Sequence, residues 1–147
     1  MKIALASDHA AYALKTELAE WLAGLGHEVA DLGTDGEASV DYPDYGYALA
    51  EHLAAGKSER GIALCGSGIG IMIAANRNPA VRCALVSEPL SARLSRTHND
   101  ANAIALGARI IGIEMAKACV EAFLGAEFAG GRHAQRVEKL SQTKQDA

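Results

Sequence analysis

The sequence predicts an α/β protein, a three-layer αβα sandwich built on a parallel sheet. Three observations carry that prediction. Short β-like apolar runs alternate with helical patterns along the whole chain, the arrangement that produces a parallel sheet covered on both faces. Ala and Gly are abundant while Phe, Tyr and Trp make up 5% of residues, which suits close helix-on-sheet packing rather than a β-sandwich. The chain of 147 residues is long enough for one domain with a real core and short for two.

Each element can be read in order. Lys2–Ala6 is the first strand. A helix follows from about Ala10 to Leu25, where Leu14, Leu18, Trp21, Leu22 and Leu25 recur at helical spacing until Gly26 ends it. Glu28–Leu32 is the second strand and runs into the turn-forming "GTDGE". A helix from about Tyr45 to Ala55 stops at Gly56, Gly61–Cys65 is the third strand, and Ile69–Asn76 is its helix. Arg82–Val86 is the fourth strand, and Pro89 suits the first turn of a helix running toward Thr97. Ala103–Leu106 is the fifth strand. The next helix carries Ala116, Cys119, Val120, Phe123 and Leu124 on one stripe, and a last helix follows "AGGRH". No linker or repeat precedes the polar tail Ser141–Ala147, so residues 1–147 read as a single domain. The expected fold is Rossmann-like, with a five-stranded parallel sheet.

The bulk properties exclude several functions. A net charge of −4 argues against a broad nucleic-acid or anionic-membrane surface. No stretch approaches the roughly 18 to 20 apolar residues of a membrane span. The N-terminal apolar run meets Asp8 and His9 too early for a signal peptide. Three widely spaced cysteines without a CxxC pair argue against a disulfide framework or a zinc knuckle. The chain reads as cytoplasmic, with reduced thiols.

In open parallel sheets, ligands sit beyond the carboxyl ends of the strands. That rule selects Ser7-Asp8-His9, the loop through Asp41-Tyr42-Pro43, Cys65–Gly70, Ser87-Glu88 and Gly107–Arg109. The central piece is "ALCGSGIG", residues 63 to 70, where Gly66, Gly68 and Gly70 follow a buried strand and open a helix. Backbone N–H groups left bare at a helix start bind negative charge. The loop lacks the Gly-Lys-Ser/Thr of a P-loop and the third glycine of GxGxxG. Glu88 lies where a ribose-binding acid would sit, so a nucleotide- or phosphate-binding module stays open. Cys65 can be a small residue closing a strand, or a base or nucleophile at a helix start. Cys83 and Cys119 read as core.

Asp8 can cap the helix that begins near Ala10. In His98-Asn99-Asp100 the last two residues suit a cap, whereas His98 has no structural task and is of the type that transfers protons near neutral pH. Arg132 and Arg136 are four apart at a helix N-terminus, where like charges repel and oppose the helix dipole. A phosphate dianion would reverse that cost, although a solvated basic face is the plain alternative. Arg109 follows the fifth strand as a further candidate.

Together "SDHAAYALK", "DYPDY", "CGSGIGIMIAANR", "SEPLSARLSRTHNDAN" and "GGRHAQRV" resemble the type B ribose-5-phosphate isomerases of the ribose/galactose isomerase family, in order and spacing over nearly the whole chain. The chain is also similar to galactose-6-phosphate and allose-6-phosphate isomerases. The resemblance implies an aldose–ketose isomerase of the non-oxidative pentose phosphate branch, working without metal or organic cofactor. It implies that Cys65 shuttles a proton between C2 and C1 through an enediolate. Members without this cysteine use a Glu at the position of Ile71, so the chain resembles the cysteine type. His98 is implied to open the furanose ring, with Asp8 near the ring oxygens. Ser67 and the N–H groups of Gly66, Gly68, Ile69 and Gly70 would hold the enediolate. Asn99 would bond the sugar hydroxyls, Tyr42 would border the sugar, and His9, Arg109, Arg132 and Arg136 would grip the phosphate. The family's dimers or tetramers combine residues of two subunits in each site, and the implied strand order is 2-1-3-5-4. Ala11 departs from the family's frequent "DHAG". Sugar length stays open, with four-carbon and six-carbon phosphates as alternatives.

Overall fold

The computed structural model describes residues 1–142, so the expected polar tail lies outside the described residues from position 143 onward. Its sheet has five parallel strands: β1 (Lys2–Ser7), β2 (Glu28–Asp31), β3 (Arg60–Cys65), β4 (Cys83–Leu85) and β5 (Ala103–Gly107). They lie in the order β2-β1-β3-β5-β4, as the resemblance implied. Helices α1 (Tyr12–Gly24), α2 (Tyr42–Ala54), α3 (Ile69–Ala75), α4 (Pro89–Thr97) and α5 (Ile113–Leu124) cover the sheet, and α6 (Arg132–Leu140) follows with none of its residues buried. The αβα sandwich is therefore the observed architecture.

The two faces of the sheet bury different residues, because successive side chains on a strand point to opposite sides. Ile3, Leu5, Ile62, Leu64, Ile104 and Leu106 pack one face against Leu18 and Leu22 of α1 and Val120 and Phe123 of α5. Ala4, Ala6, Ala63, Ala103 and Ala105 line the other face, against Leu49 and Leu53 of α2 and Ile71 of α3. The small face lets α2 and α3 approach the sheet closely. Cys65 falls on that face two residues after Ala63, where the strand runs out from beneath the helices.

The chain leaves β1 toward β2 and returns across β1 to reach β3, which opens a crevice beyond the carboxyl ends of β1 and β3. Asp8 follows β1 and Cys65 ends β3. The pairing Ser7↔Leu64 and the hydrogen bond from Asp8 N–H to Leu64 O (3.2 Å) bring these two ends side by side.

Element ends differ from the sequence reading for identifiable reasons. The helix expected from Tyr45 begins at Tyr42, because Pro43 fits its first turn and Asp41 is extended before it. The helix expected from Ala10 opens as a 3-10 turn, His9–Ala11, capped by Asp8, and becomes α-helical at Tyr12. Strand β4 is shorter than Arg82–Val86. The Arg82 N–H goes to Asn102 Oδ1 (2.8 Å), while the Asn76 amide brackets Cys83, accepting its N–H (2.7 Å) and donating to its carbonyl (2.9 Å). Lys15 is the largest surprise of α1. It is 1% exposed, and its ammonium lies 2.6 and 2.8 Å from the Asp31 carboxylate oxygens at the end of β2. Among the described residues, no helix is long and apolar enough to cross a membrane.

Candidate active site

The turn after β3 is built around its sulfur. Cys65 is 4% exposed, and its Sγ accepts the N–H of Gly68 at 3.1 Å. Gly68 has φ +80, and a Cβ there would lie 2.7 Å from Leu85 Cδ1 and 2.9 Å from the Leu106 carbonyl carbon. Only glycine fits that crossing, which lets α3 start at once on Ile69. Ser67 Oγ accepts the N–H of Ile69 at 3.2 Å. Of the loop N–H groups expected to face an oxyanion, those of Gly68 and Ile69 are thus committed within the loop. Those of Gly66, Ser67 and Gly70 have no backbone acceptor among the described residues.

A cleft of about 540 Å³ opens over this loop, lined by Asp8, Tyr42, Cys65, Gly66, Ser67, Ile69, Gly70, Ile73, Arg109 and Ile110. The Tyr42 ring lies against Gly70, where a Cβ would sit 2.5 Å from Tyr42 Cε2. Arg109 is fastened through its backbone, with its N–H donating to Gly66 O (2.9 Å) and the Ala108 N–H donating to Cys65 O (2.9 Å). Its guanidinium lies along Gly66 in the wall of the same cleft. Asp8 fills its capping role, accepting the Ala10 N–H at 3.0 Å, and still faces the cleft. Asp8 and Tyr42 also border an adjoining hollow with His9. His9 Nδ1 accepts the Val40 N–H at 3.1 Å, which leaves the ring proton on Nε2. Ile71, where a Glu would stand in other members, is fully buried in the core.

The remaining predicted residues do not join this cleft. Helix α4 runs back from the carboxyl end of β4, so His98 and Asn99 lie at the amino edge of β5. The β3–β5 pairing runs from Gly61↔Ala103 to Cys65↔Gly107, four residue steps or about 13 Å of strand. There His98, Asn99, His133, Arg136, Val137 and Leu140 line a separate hollow of about 300 Å³ with no acidic side chain in its wall. Arg132 begins α6, exposed, beside it. The imidazoles of His98 and His133 stack at 4.4 Å between centroids and 14° between planes. His133 is held below the ordinary histidine range, chiefly by loss of solvation and then by the charges of His98, Arg132 and Arg136. This cluster is a ready anion site.

Sequence reasoning missed His133, although it sits between two predicted residues in "RHAQR". It also missed Ile73 and Ile110, whose apolar side chains carry no signal of a site. Glu88 is not free to read a ribose. Its carboxylate caps α4, accepting the N–H groups of Leu90 (2.6 Å) and Ser91 (2.9 Å) and the Ser91 hydroxyl. Burial pushes the Cys83 thiol up to about 12, and Cys119 is pushed up by burial and by Glu88, which leaves both as core residues.

Known proteins are similar to this chain in sequence and in fold. The sequence model of the Ribose/Galactose Isomerase family matches residues 3–140. Ribose-5-phosphate isomerase B of Escherichia coli is 46% identical over 144 residues, 98% of this chain and 97% of that protein. D-erythrulose-4-phosphate isomerase of Pectobacterium atrosepticum is 44% identical over 142 residues, 95% of this chain and 93% of its own. The structure of ribose-5-phosphate isomerase B from Clostridium thermocellum superposes with a TM-score of 0.97 at 49% identity, covering 99% of both chains. Matched end to end by sequence and by fold, the chain belongs to the ribose/galactose isomerase family.

Proposed function

We propose that this chain, an aldose–ketose isomerase of sugar phosphates, interconverts D-ribose 5-phosphate and D-ribulose 5-phosphate, with Cys65 as the proton-transfer base. The observation that carries the reading is the Cys65 sulfur, held against the cleft by the Gly68 N–H, with Arg109 alongside. Tyr42, Asp8 and Arg109 are the other titratable groups in the wall. Asp8 accepts the Ala10 N–H as a cap and a guanidinium is a poor base, so the thiol is assigned the transfer between C2 and C1.

The furanose opens when His98 gives a proton to the ring oxygen, the C1–O bond breaks and the anomeric hydroxyl passes its proton to the Asp8 carboxylate at the cleft wall, leaving an aldehyde. The Cys65 thiolate then takes the C2 proton, and the electron pair moves onto the C1 oxygen. The enediolate rests on the N–H groups of Ser67 and Gly70 and on the Ser67 hydroxyl, donors that stabilise charge as it develops. Cys65 returns the proton to C1, a proton passes from O2 to O1, and the ketose forms. Neither metal nor organic cofactor takes part.

His98, Asn99, Arg132 and Arg136 reach the cleft from a second copy of the chain. Two features support this: their hollow lies at the opposite end of the strands, and Tyr42, Ile69, Ile73, Leu85 and Ile110 expose apolar surface in and beside the Cys65 cleft. His9 and Arg109 from one copy and the α6 arginines from the other then share the phosphate. The enzyme serves the non-oxidative pentose phosphate branch in the cytoplasm.

Relatives acting on five-carbon and four-carbon sugars are almost equally identical to the chain, so similarity alone does not choose sugar length. Turnover on ribose 5-phosphate, erythrose 4-phosphate, allose 6-phosphate and galactose 6-phosphate tests the assignment. Ribose 5-phosphate should have the highest kcat/KM. A tenfold preference for another sugar would replace it.

A further inference from the structure

The turn that presents His98 and Asn99 is held by residues with no assigned role. Asp100 follows them with φ +47, the only positive φ at a non-glycine residue among the described residues. Its N–H donates to Arg96 O at 3.2 Å, the left-handed helix end at which glycine is the ordinary choice. An aspartate there is strained, and such strain persists only where the surroundings impose it.

Two arginines impose it. Arg96, 5% exposed, donates from Nη1 to Asp100 Oδ1 (2.8 Å) and to Ala101 O (2.8 Å). Arg82 reaches from the start of β4, its Nη2 3.3 Å from Asp100 Oδ2. Arg82 Nε is shared between Asn99 O (3.2 Å) and Asp100 O (3.0 Å). Three successive carbonyls, those of Asn99, Asp100 and Ala101, are thus pinned by guanidinium groups. The Asp100 carboxylate holds both guanidiniums in place. A lysine could not span these acceptors, because the planar fork makes the geometry possible.

We infer that Asp100, with Arg82 and Arg96, is a positioning clamp that fixes the His98 and Asn99 side chains for the sugar. The clamp touches no substrate. It keeps the His98 ring stacked on His133 and aimed into the hollow. Its effect on turnover rests on the ring-opening role proposed for His98, whereas its effect on His98 orientation does not.

The test uses the full-length enzyme and the variants Arg82→Gln and Asp100→Gly, with His98→Asn as reference. Glycine keeps the left-handed backbone available, so Asp100→Gly folds even where Arg82→Gln does not. The position of His98 is read from its imidazole NMR resonances, which carry the ring-current shift of the His133 stack. Function is read from turnover of ribose 5-phosphate, which is cyclic, against deuterium exchange at C1 of ribulose 5-phosphate, which is open-chain. The clamp predicts loss of the ring-current shift, a drop of tenfold or more in aldose turnover, and ketose exchange within twofold of wild type. Unmoved His98 resonances in both variants would overturn it, as would equal losses in the two kinetic assays when His98→Asn separates them. A moved resonance with no separation in His98→Asn would support the clamp and overturn ring opening by His98.

Discussion

The Gly68 N–H donates to the Cys65 sulfur at 3.1 Å, so the turn that starts α3 also points the thiol at the cleft. Cys83 lines a different hollow, where burial pushes its thiol up to about 12, and Cys119 is fully buried and raised as well. A small alkylating reagent such as iodoacetamide should therefore modify Cys65 alone in the folded enzyme. Peptide mass spectrometry reads the selectivity, and ribose 5-phosphate should slow the labelling. Labelling of Cys83 or Cys119 at a similar rate would contradict this.

Tyr42 and Gly70 depend on each other sterically. A methyl at 70 would lie 2.5 Å from the Tyr42 ring, so Gly70→Ala must move the tyrosine off the cleft wall. Overpacking of this kind costs about 1–3 kcal/mol. The expected outcome is a fall of about tenfold in kcat/KM with the fold intact, equivalent to about 1.4 kcal/mol of transition-state binding. Steady-state kinetics and a thermal melt measure both. Unchanged kinetics would remove Tyr42 from the site.

Separation of Cys65 and His98 within one chain makes a prediction about mixed oligomers. Cys65→Ala and His98→Asn should each lose turnover of ribose 5-phosphate, yet co-refolding them should restore it. In a two-fold dimer with random mixing, half the dimers are hybrid and each hybrid holds one intact site, giving about a quarter of wild-type turnover. No recovery despite hybrid formation would place both residues in a single-chain site.

His133 supplies a pH dependence. Its folded-state value lies below the ordinary 6.5, first from lost solvation and then from His98, Arg132 and Arg136. Between the folded and unfolded values the unfolded chain binds more protons, so stability rises with pH and falls as the medium is acidified through that window. Relative to His133→Gln, the wild type should lose thermal stability as the pH falls through about 6.5 and below. Phosphate, by neutralising the cluster, should reduce the loss. Parallel melting curves across that range would contradict the assignment.

Much of this arrangement was legible in sequence. Alternation of apolar runs located all five strands, and the rule about carboxyl ends picked Asp8, Tyr42, Cys65–Gly70 and Arg109, which converge on one cleft. The same rule also picked Glu88, whose carboxylate is spent on the α4 cap. What escaped depends on long-range packing. Lys15 falls on the same helical stripe as Leu18 and Leu22, yet nothing local shows that Asp31 from another element pairs its charge there. His133 meets His98 only because α6 folds against the end of α4, held by the Ala129 N–H to Thr97 O bond (3.0 Å). Arg82 and Asp100 are 18 residues apart, and nothing in local pattern joins them.

The central claim is proton transfer by Cys65, and solvent exchange tests it most directly. Wild-type enzyme and Cys65→Ala are incubated with ribose 5-phosphate in heavy water, and deuterium at C2 of the aldose is followed by NMR. Wild type should convert the sugar and incorporate label. Cys65→Ala should bind it with similar affinity by calorimetry while exchange falls by about 100-fold or more. Exchange near the wild-type rate in Cys65→Ala would contradict the account, because another group would then be moving the proton.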